Sequence, residues 1–279
     1  MRRSLRKMNK RSMWASPYII WMIGFTVIPL AIIVKYAFTG EGGGFTFDNM
    51  LAMFEPVHLK AMIFSVEIAF LCTVICIILS YPLVIALRRL KFNKQGFHIL
   101  ILILPMWINF ILRLLAWQMI LSNNGILNYI LRGIGLREQN IANSSIAMMI
   151  GIVYDYLPYM VLAIYNCVEE IDDDVIEAAR DLGAGGFTVF LRIILPLSVP
   201  GLLSGIVMVF VPAMTSFVTA NILGGGKLQL IGNVIEQEFM TTMDWNLGSG
   251  LSVILMIFVL ISMAFTSRNE VVEKESRVW

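Results

Sequence analysis

Residues 68–87 read IAFLCTVICIILSYPLVIAL, an unbroken run without a formal charge. A helix needs about 20 mostly apolar residues to cross the hydrocarbon core of a bilayer, and this run has that length and character. Further charge-free windows cover residues 12–34, 95–112, 193–226 and 245–267, and residues 139–168 are interrupted only by Asp155. Six membrane spans follow, at about 14–36, 62–87, 97–121, 143–167, 199–222 and 248–267. The composition agrees, since 58% of the 279 residues are hydrophobic and only 14% are charged, against about 25% charged in soluble domains. The mean hydropathy is +0.79. A soluble enzyme, a secreted disulfide scaffold and a disordered tail are thereby excluded. With no linker, low-complexity tract or internal repeat, the expectation is an all-α integral membrane protein with six transmembrane helices in one domain, residues 1–279.

The charges are sorted by side of the membrane. Arg2, Arg3, Arg6, Lys7, Lys10 and Arg11 precede the first span, whose apolar run is too long for a signal peptide and lacks a small-residue cleavage site. With that end inside, the same side collects Arg88, Arg89, Lys91, Lys94, Arg180, Arg192, Arg268, Lys274 and Arg277. The other side holds Lys35, Lys60, Arg132, Arg137 and Lys227. The positive-inside rule then places both termini in the cytoplasm, in a multi-pass protein of the cytoplasmic membrane.

One inner connection, about residues 168–198, is long and unusual. Asp172, Asp173 and Asp174 supply an N-cap and first-turn negative charge, and Val175, Ile176, Ala179 and Leu182 recur at helical spacing. A short amphipathic helix is expected there, ended by Gly183, Gly185 and Gly186 and followed by a second short helix over Phe187–Ile194 before Pro196. Two small helices in a corner make a protruding knob. An interfacial loop lying on headgroups is the plain alternative, but Glu169, Glu170, Glu177 and Asp181 add to the aspartates, and anionic lipid repels such a segment. A protein partner with basic residues suits the charge better.

The order Glu177-Ala178-Ala179, then Gly183, then Ile193-Ile194-Leu195-Pro196 resembles the EAA loop of permease subunits in bacterial ABC importers. Within that superfamily the chain is similar to the spermidine/putrescine permeases, of the B type. Three patches carry the likeness: Leu104-Pro105-Met106-Trp107-Ile108-Asn109 with Arg113; Glu177 to Leu182 with Gly183-Ala184; and Pro212-Ala213-Met214 through Gly225-Gly226-Lys227 to Ile231-Gly232-Asn233-Val234-Ile235. The resemblance implies the type I importer (MetI-like) fold, and a mechanism in which ATP-driven closure of a cytoplasmic ATPase dimer levers the spans between inward-open and outward-open. Glu177 is then the charged contact with the ATPase, Ala178 and Ala179 the close-packing face, Gly183 the turn, and Leu195 and Pro196 the end of the motif. The implied partners are a second permease subunit, the ATPase dimer and an extracytoplasmic polyamine-binding protein. ATP and Mg belong to the partner ATPase and no cofactor to this chain, which contacts membrane lipid and no nucleic acid.

A search for enzymatic chemistry fails. Gly224-Gly225-Gly226-Lys227-Leu228 lacks the earlier Gly of a phosphate loop, Asn221 standing there, and lacks the Ser or Thr after the Lys. His58 and His98 form no HExxH pattern, and Cys72, Cys76 and Cys167 have no zinc spacing, so no metal site is expected and the cysteines are read as small buried hydrophobes.

Glu67, Arg113 and Asp155 fall within spans, where ionisable groups are costly and mark functional candidates. Glu67 and Arg113 could staple a hairpin as a structural pair. Asp155, with Tyr154, Tyr156 and Tyr159 around it, offers a carboxylate and aromatic faces to a polycation. Phe217 and Asn221 join this candidate path by resemblance, and Glu67 joins it as an intramembrane carboxylate. The family often has an acid where Asn221 stands and can have an aromatic at Val218. Gly201 and Gly205, four apart, favour close helix packing, while Pro200 and Pro212 permit kinks. Trp14, Trp21, Trp107, Trp117 and Trp245 suit interface anchoring. The rival readings are an ABC permease for ferric iron, sulfate or an amino acid, and a stand-alone secondary transporter or channel.

Overall fold

The computed structural model describes the backbone of residues 17–40, 42–89 and 104–276, with side chains as far as residue 264. The N-terminal basic run, Trp14, Lys91, Lys94, His98 and the charges of Arg268, Lys274 and Arg277 lie outside the described residues. The helices used below are α1 (Pro17–Ala37), α2 (Pro56–Arg89), α3 (Phe110–Leu121), α4 (Ile126–Gly133), α5 (Ser145–Glu169), α6 (Asp173–Asp181), α7 (Gly186–Leu197), α8 (Val199–Met214), α9 (Phe217–Leu223), α10 (Ile231–Gln237) and α11 (Trp245–Ser276). Among the described residues the one extended pairing is an isolated bridge between Thr39 and Phe45. Five helical segments are long and apolar enough to cross a membrane: α1, α2, Phe110–Gly133, α5 and Trp245–Ala264. A sixth span results if α7 and α8, bent by 69° at their junction, count as one.

Two expected spans differ from the structure. The third was expected at about 97–121; its described part is a 3-10 turn at Leu104–Trp107 followed by a fresh helix start at Phe110. Asn109 makes that start, its Oδ1 accepting the N–H groups of Ile111 at 3.0 Å and Leu112 at 3.3 Å. The fifth was expected to be continuous over about 199–222, but the helical path begins at Gly186, bends at Ser198 and breaks again at Thr215–Ser216. Proline shapes the start of the fifth path. The second short helix does not stop before Pro196, because a π-turn at Phe190–Ile194 widens the helix ahead of it and Leu195 N–H bonds Phe190 O. That widening gives room to the proline ring, which would otherwise clash with the preceding turn. The same device, a π-turn at Ile23–Val27, precedes Pro29 in α1.

The chain divides into two compact units, one of residues up to 58 with 235–258, the other of residues 59–234 with those from 259 onward. In the first, Asn49 Nδ2 donates to Ala37 O at 3.2 Å and Thr39 O at 2.9 Å, closing the C-terminal carbonyls of α1. Gly250 is required because a Cβ there would overlap the Asn49 backbone. The apolar window of α1 buries none of its residues, and burial in this helix is confined to its C-terminal end, where Ala37 is covered.

In the second unit α5 is the central post, and α8 makes the most extensive contact with it. Gly201 and Gly205 perform the close packing expected of them. A Cβ on Gly201 would overlap Ala163 O and stand 2.8 Å from Cys167 Sγ, and one on Gly205 would stand 2.6 Å from Met160 Sδ. On another side of α5, Cys72 and Cys76 of α2 are fully buried, with Sγ atoms 3.9 Å from Met149 O and Val153 O. They behave as the small hydrophobes expected. Leu114, Leu121, Ala147 and Leu223 form the apolar cluster joining α3, α5 and α9.

Candidate functional site

The 169–198 loop is built from its capping residues upward. Asp172 Oδ1 accepts Asp174 N–H at 3.2 Å, and Asp173 and Asp174 place negative charge in the first turn of α6. At the other end Gly183, at φ +85°, sits in the left-handed region. Gly183 N–H donates to Arg180 O at 2.8 Å and Ala184 N–H to Ala179 O at 3.0 Å. Those two bonds are a Schellman closure, which a side chain at position 183 would strain. Ile176, Val189 and Ile194 are buried and anchor the knob. Glu177 and Ala178 are exposed, Ala179 and Leu195 half-buried, and Pro196 exposed.

Two large apolar residues of the loop are exposed rather than packed. Leu182 is 90% exposed and Phe187 74% exposed, one on each side of the Gly183 turn. Large apolar side chains at the tip of a polar knob are uncovered surface that favours a partner's pocket. Their sequence signal was weak because either would equally suit the buried face of an amphipathic helix.

The end of α2 reaches the same loop. Arg88 Nη1 donates to Val168 O at 2.9 Å, and Nη2 to Ile171 O at 2.6 Å and to Asp173 Oδ1 at 3.0 Å. A groove of about 240 Å³ lies between Ile85, Ile176, Glu177, Val189 and Phe190. Two turns back along α2, the Tyr81 ring lies edge-on to Phe190 at 5.3 Å. Its hydroxyl is 3.0 Å from Ser198 Oγ at the 69° bend. Since Ser198 donates its only proton to Leu195 O at 3.1 Å, Tyr81 is the donor.

The intramembrane polar groups take an arrangement that spacing did not reveal. Arg113 pairs with Asp155, Nη2 to Oδ1 3.2 Å, and not with Glu67 as the hairpin-staple reading had it. The side chains are 11% and 4% exposed. The Arg113 guanidinium also lies 5.9 Å from the Phe110 centroid and 5.8 Å from that of Tyr154, and its Nη1 donates to Pro105 O at 3.4 Å. Tyr154 in turn packs edge-on to Trp117 at 5.4 Å. Asp155 Oδ2 and Arg113 Nε are buried without hydrogen-bond partners. Asp155 is therefore enclosed by its own chain beside a cation the protein itself provides, with the half-buried Tyr154 ring against that cation.

Glu67 is exposed. It shares a stripe of α2 with Ile63, Phe70 and Leu71, all uncovered. Tyr159 is 39% exposed and 6.3 Å from Tyr156, centroid to centroid. Tyr156 donates to Ser216 Oγ at 3.0 Å, the Ser216 proton being taken by Pro212 O at 2.8 Å. That bond fixes the Thr215–Ser216 break beside Phe217. Asn221 is exposed, and its Oδ1 accepts Asn233 Nδ2 at 2.7 Å. Asn233 is buried, donates also to Phe217 O at 3.2 Å and accepts Leu230 N–H at 3.0 Å. A Cβ on neighbouring Gly232 would stand 2.9 Å from Thr215 O. The structure thus brings Tyr159, Phe217 and Asn221 to one polar region braced by Tyr156 and Asn233. Nothing in the spacing of Asn233 along the sequence marks it as the brace.

A family model described as "Binding-protein-dependent transport system inner membrane component" matches residues 5–274. Over 264 residues the chain is 33% identical to the spermidine/putrescine transport system permease protein PotB of Haemophilus influenzae, covering 91% of this chain and 92% of that protein. It is 34% identical to the PotB of Escherichia coli, covering 85% and 89%. A PotB homolog of Mycoplasma pneumoniae is 26% identical, covering 93% and 91%. Among solved structures, a chain of a bacterial ABC transporter involved in the import of the acidic polysaccharide alginate superposes with a TM-score of 0.73 at 17% identity, covering 96% of this chain and 98% of that one. That likeness establishes the fold.

Proposed function

The chain belongs to the binding-protein-dependent transport system inner membrane components, and from that premise we propose that it is a polyamine permease of an ATP-driven importer. A member of this family is a multi-pass membrane transport subunit, which sets aside the stand-alone secondary transporter. Polyamine as cargo is supported by relatives that carry spermidine/putrescine in their names at 33–34% identity over most of the chain.

The observation that carries the coupling assignment is the knob itself. A capped helix presents Glu177 and Ala178, a Schellman turn at Gly183 reverses the chain, and Leu182 and Phe187 project from the tip. In our reading this knob docks on a cytoplasmic ATPase dimer that holds ATP and Mg. Residues 1–279 form one permease domain, and the termini are cytoplasmic. A second permease subunit covers the uncovered helix faces, and an extracytoplasmic polyamine-binding protein delivers cargo. Glu67, Tyr159, Phe217 and Asn221 line the path, because they are the candidate groups left accessible. Asp155, Tyr154 and Arg113 support it from inside the subunit. A polyamine ammonium on this path meets a carboxylate, an amide oxygen and aromatic faces, all favourable to a dispersed cation.

The test is Glu177→Arg in the co-expressed complex. The variant subunit is expected in the membrane at wild-type level while spermidine uptake is lost. Uptake equal to wild type overturns the coupling assignment.

A further inference from the structure

Arg88 carries one charge among many at the ends of the spans, and the positive-inside rule asks nothing more of it than that charge. Its geometry asks for more. The side chain is 17% exposed and divides its fork among three acceptors, one in α5, one in the connection that follows it and one at the start of α6. Val168 O lies in the last turn of α5, where helix carbonyls have no i+4 partner and the macrodipole is negative, and Ile171 O lies just beyond it in the connection to α6. Asp173 is the first residue of α6. One side chain from α2 thus closes the end of one helix and holds the start of the next, across a connection of only three residues (170–172).

The same stripe of α2 touches the loop at two more levels. Ile85, about one turn before Arg88, lines the groove under α6 with Ile176 and Phe190. Tyr81, a further turn back, donates to Ser198 at the bend where the loop re-enters α8. Entry and exit of the loop are therefore both fastened to α2.

We propose that Arg88 is a positioning residue that fastens α6 to α2 and α5, so that a push on the knob moves both helices as one lever. The inference rests on the coupling assignment above. Arg88 touches neither substrate nor nucleotide. Its removal leaves the knob exposed to the ATPase and still packed on Ile85 and Tyr81, but with the start of α6 no longer tied to α2 and the end of α5, so hydrolysis continues with less transport. Lysine restores the charge but not a planar fork able to reach three acceptors.

The experiment is the ratio of ATP hydrolysed to spermidine imported by the assembled importer in proteoliposomes with its binding protein. Arg88→Gln should raise this ratio by about tenfold, the scale of one lost charge-assisted hydrogen bond. Arg88→Lys should fall between that value and wild type. Asp173→Asn should show a smaller rise and keeps the test open if Arg88→Gln fails to assemble. Arg89→Gln, which removes the same charge from the neighbouring exposed residue, should behave as wild type. If the Arg88 variants lose hydrolysis and uptake in proportion, or if Lys restores the ratio fully, the lever is wrong and Arg88 serves only folding or topology. Glu177→Arg in the same assay separates the two ideas. A coupling defect there with none in the Arg88 variants sinks this inference alone, whereas a normal ratio in Glu177→Arg sinks the coupling assignment.

Discussion

The buried pair Arg113–Asp155 gives an unequal double-mutant cycle. At 3.2 Å and an effective dielectric of about 20, the Coulomb attraction is about 5 kcal/mol. Breaking such a pair from one side costs about 3–5 kcal/mol, because the remaining charge is buried without compensation. The two sides differ, however. Without Asp155 the guanidinium keeps Pro105 O and the faces of Phe110 and Tyr154, each ring worth about 1–2 kcal/mol when desolvated. Without Arg113 the carboxylate keeps no charged partner, and both its oxygens are already without hydrogen bonds. Arg113→Met should therefore cost about 3–5 kcal/mol, and Asp155→Asn about 2 kcal/mol less. The double variant, which buries no charge, should fall within about 2 kcal/mol of wild type, so single costs centred on about 4 and about 2 kcal/mol imply a coupling of about 4 kcal/mol or more. The assay is SDS-induced unfolding of the purified subunit in dodecyl maltoside micelles, followed by circular dichroism. Additive single costs, or Asp155→Asn costing as much as Arg113→Met, would refute the reasoning.

Two further perturbations test other parts of the structure. Gly201→Ala places a Cβ against Ala163 O and Cys167 and should cost about 1–3 kcal/mol in the same unfolding assay. Gly133→Ala, where a Cβ meets nothing within 4 Å, should stay within about 0.5 kcal/mol; equal effects would contradict the α5–α8 packing. Leu182→Asp, at a 90% exposed position, should leave the subunit's unfolding curve unchanged while co-purification of the ATPase falls. Undiminished ATPase recovery would remove Leu182 from the docking surface.

Much of this was legible because a bilayer imposes a coarse rule. Charge-free runs located the spans, and the spacing of Gly201 and Gly205 foretold which helix face would pack closely. The acidic start and glycine end of α6 were equally plain, since capping is a local matter. What stayed hidden depends on distance along the chain or on breaks in it. Arg113 and Asp155 are 42 residues apart, and no periodicity pairs them. Glu67 was as good a candidate until the fold turned it outward. The break at Thr215–Ser216 is stabilised by hydroxyls bonding back to Pro212 O, and serine and threonine in an apolar run do not announce that. Arg88 was hidden for a different reason: the topology rule already accounted for a basic residue at the end of a span.

The most direct test of the whole account is reconstitution of this chain with its partner permease, ATPase and binding protein in proteoliposomes, measuring uptake of radiolabelled spermidine. The account predicts accumulation that requires ATP, the binding protein and this subunit together. Uptake by this chain alone, driven by an ion gradient and indifferent to ATP, would contradict it.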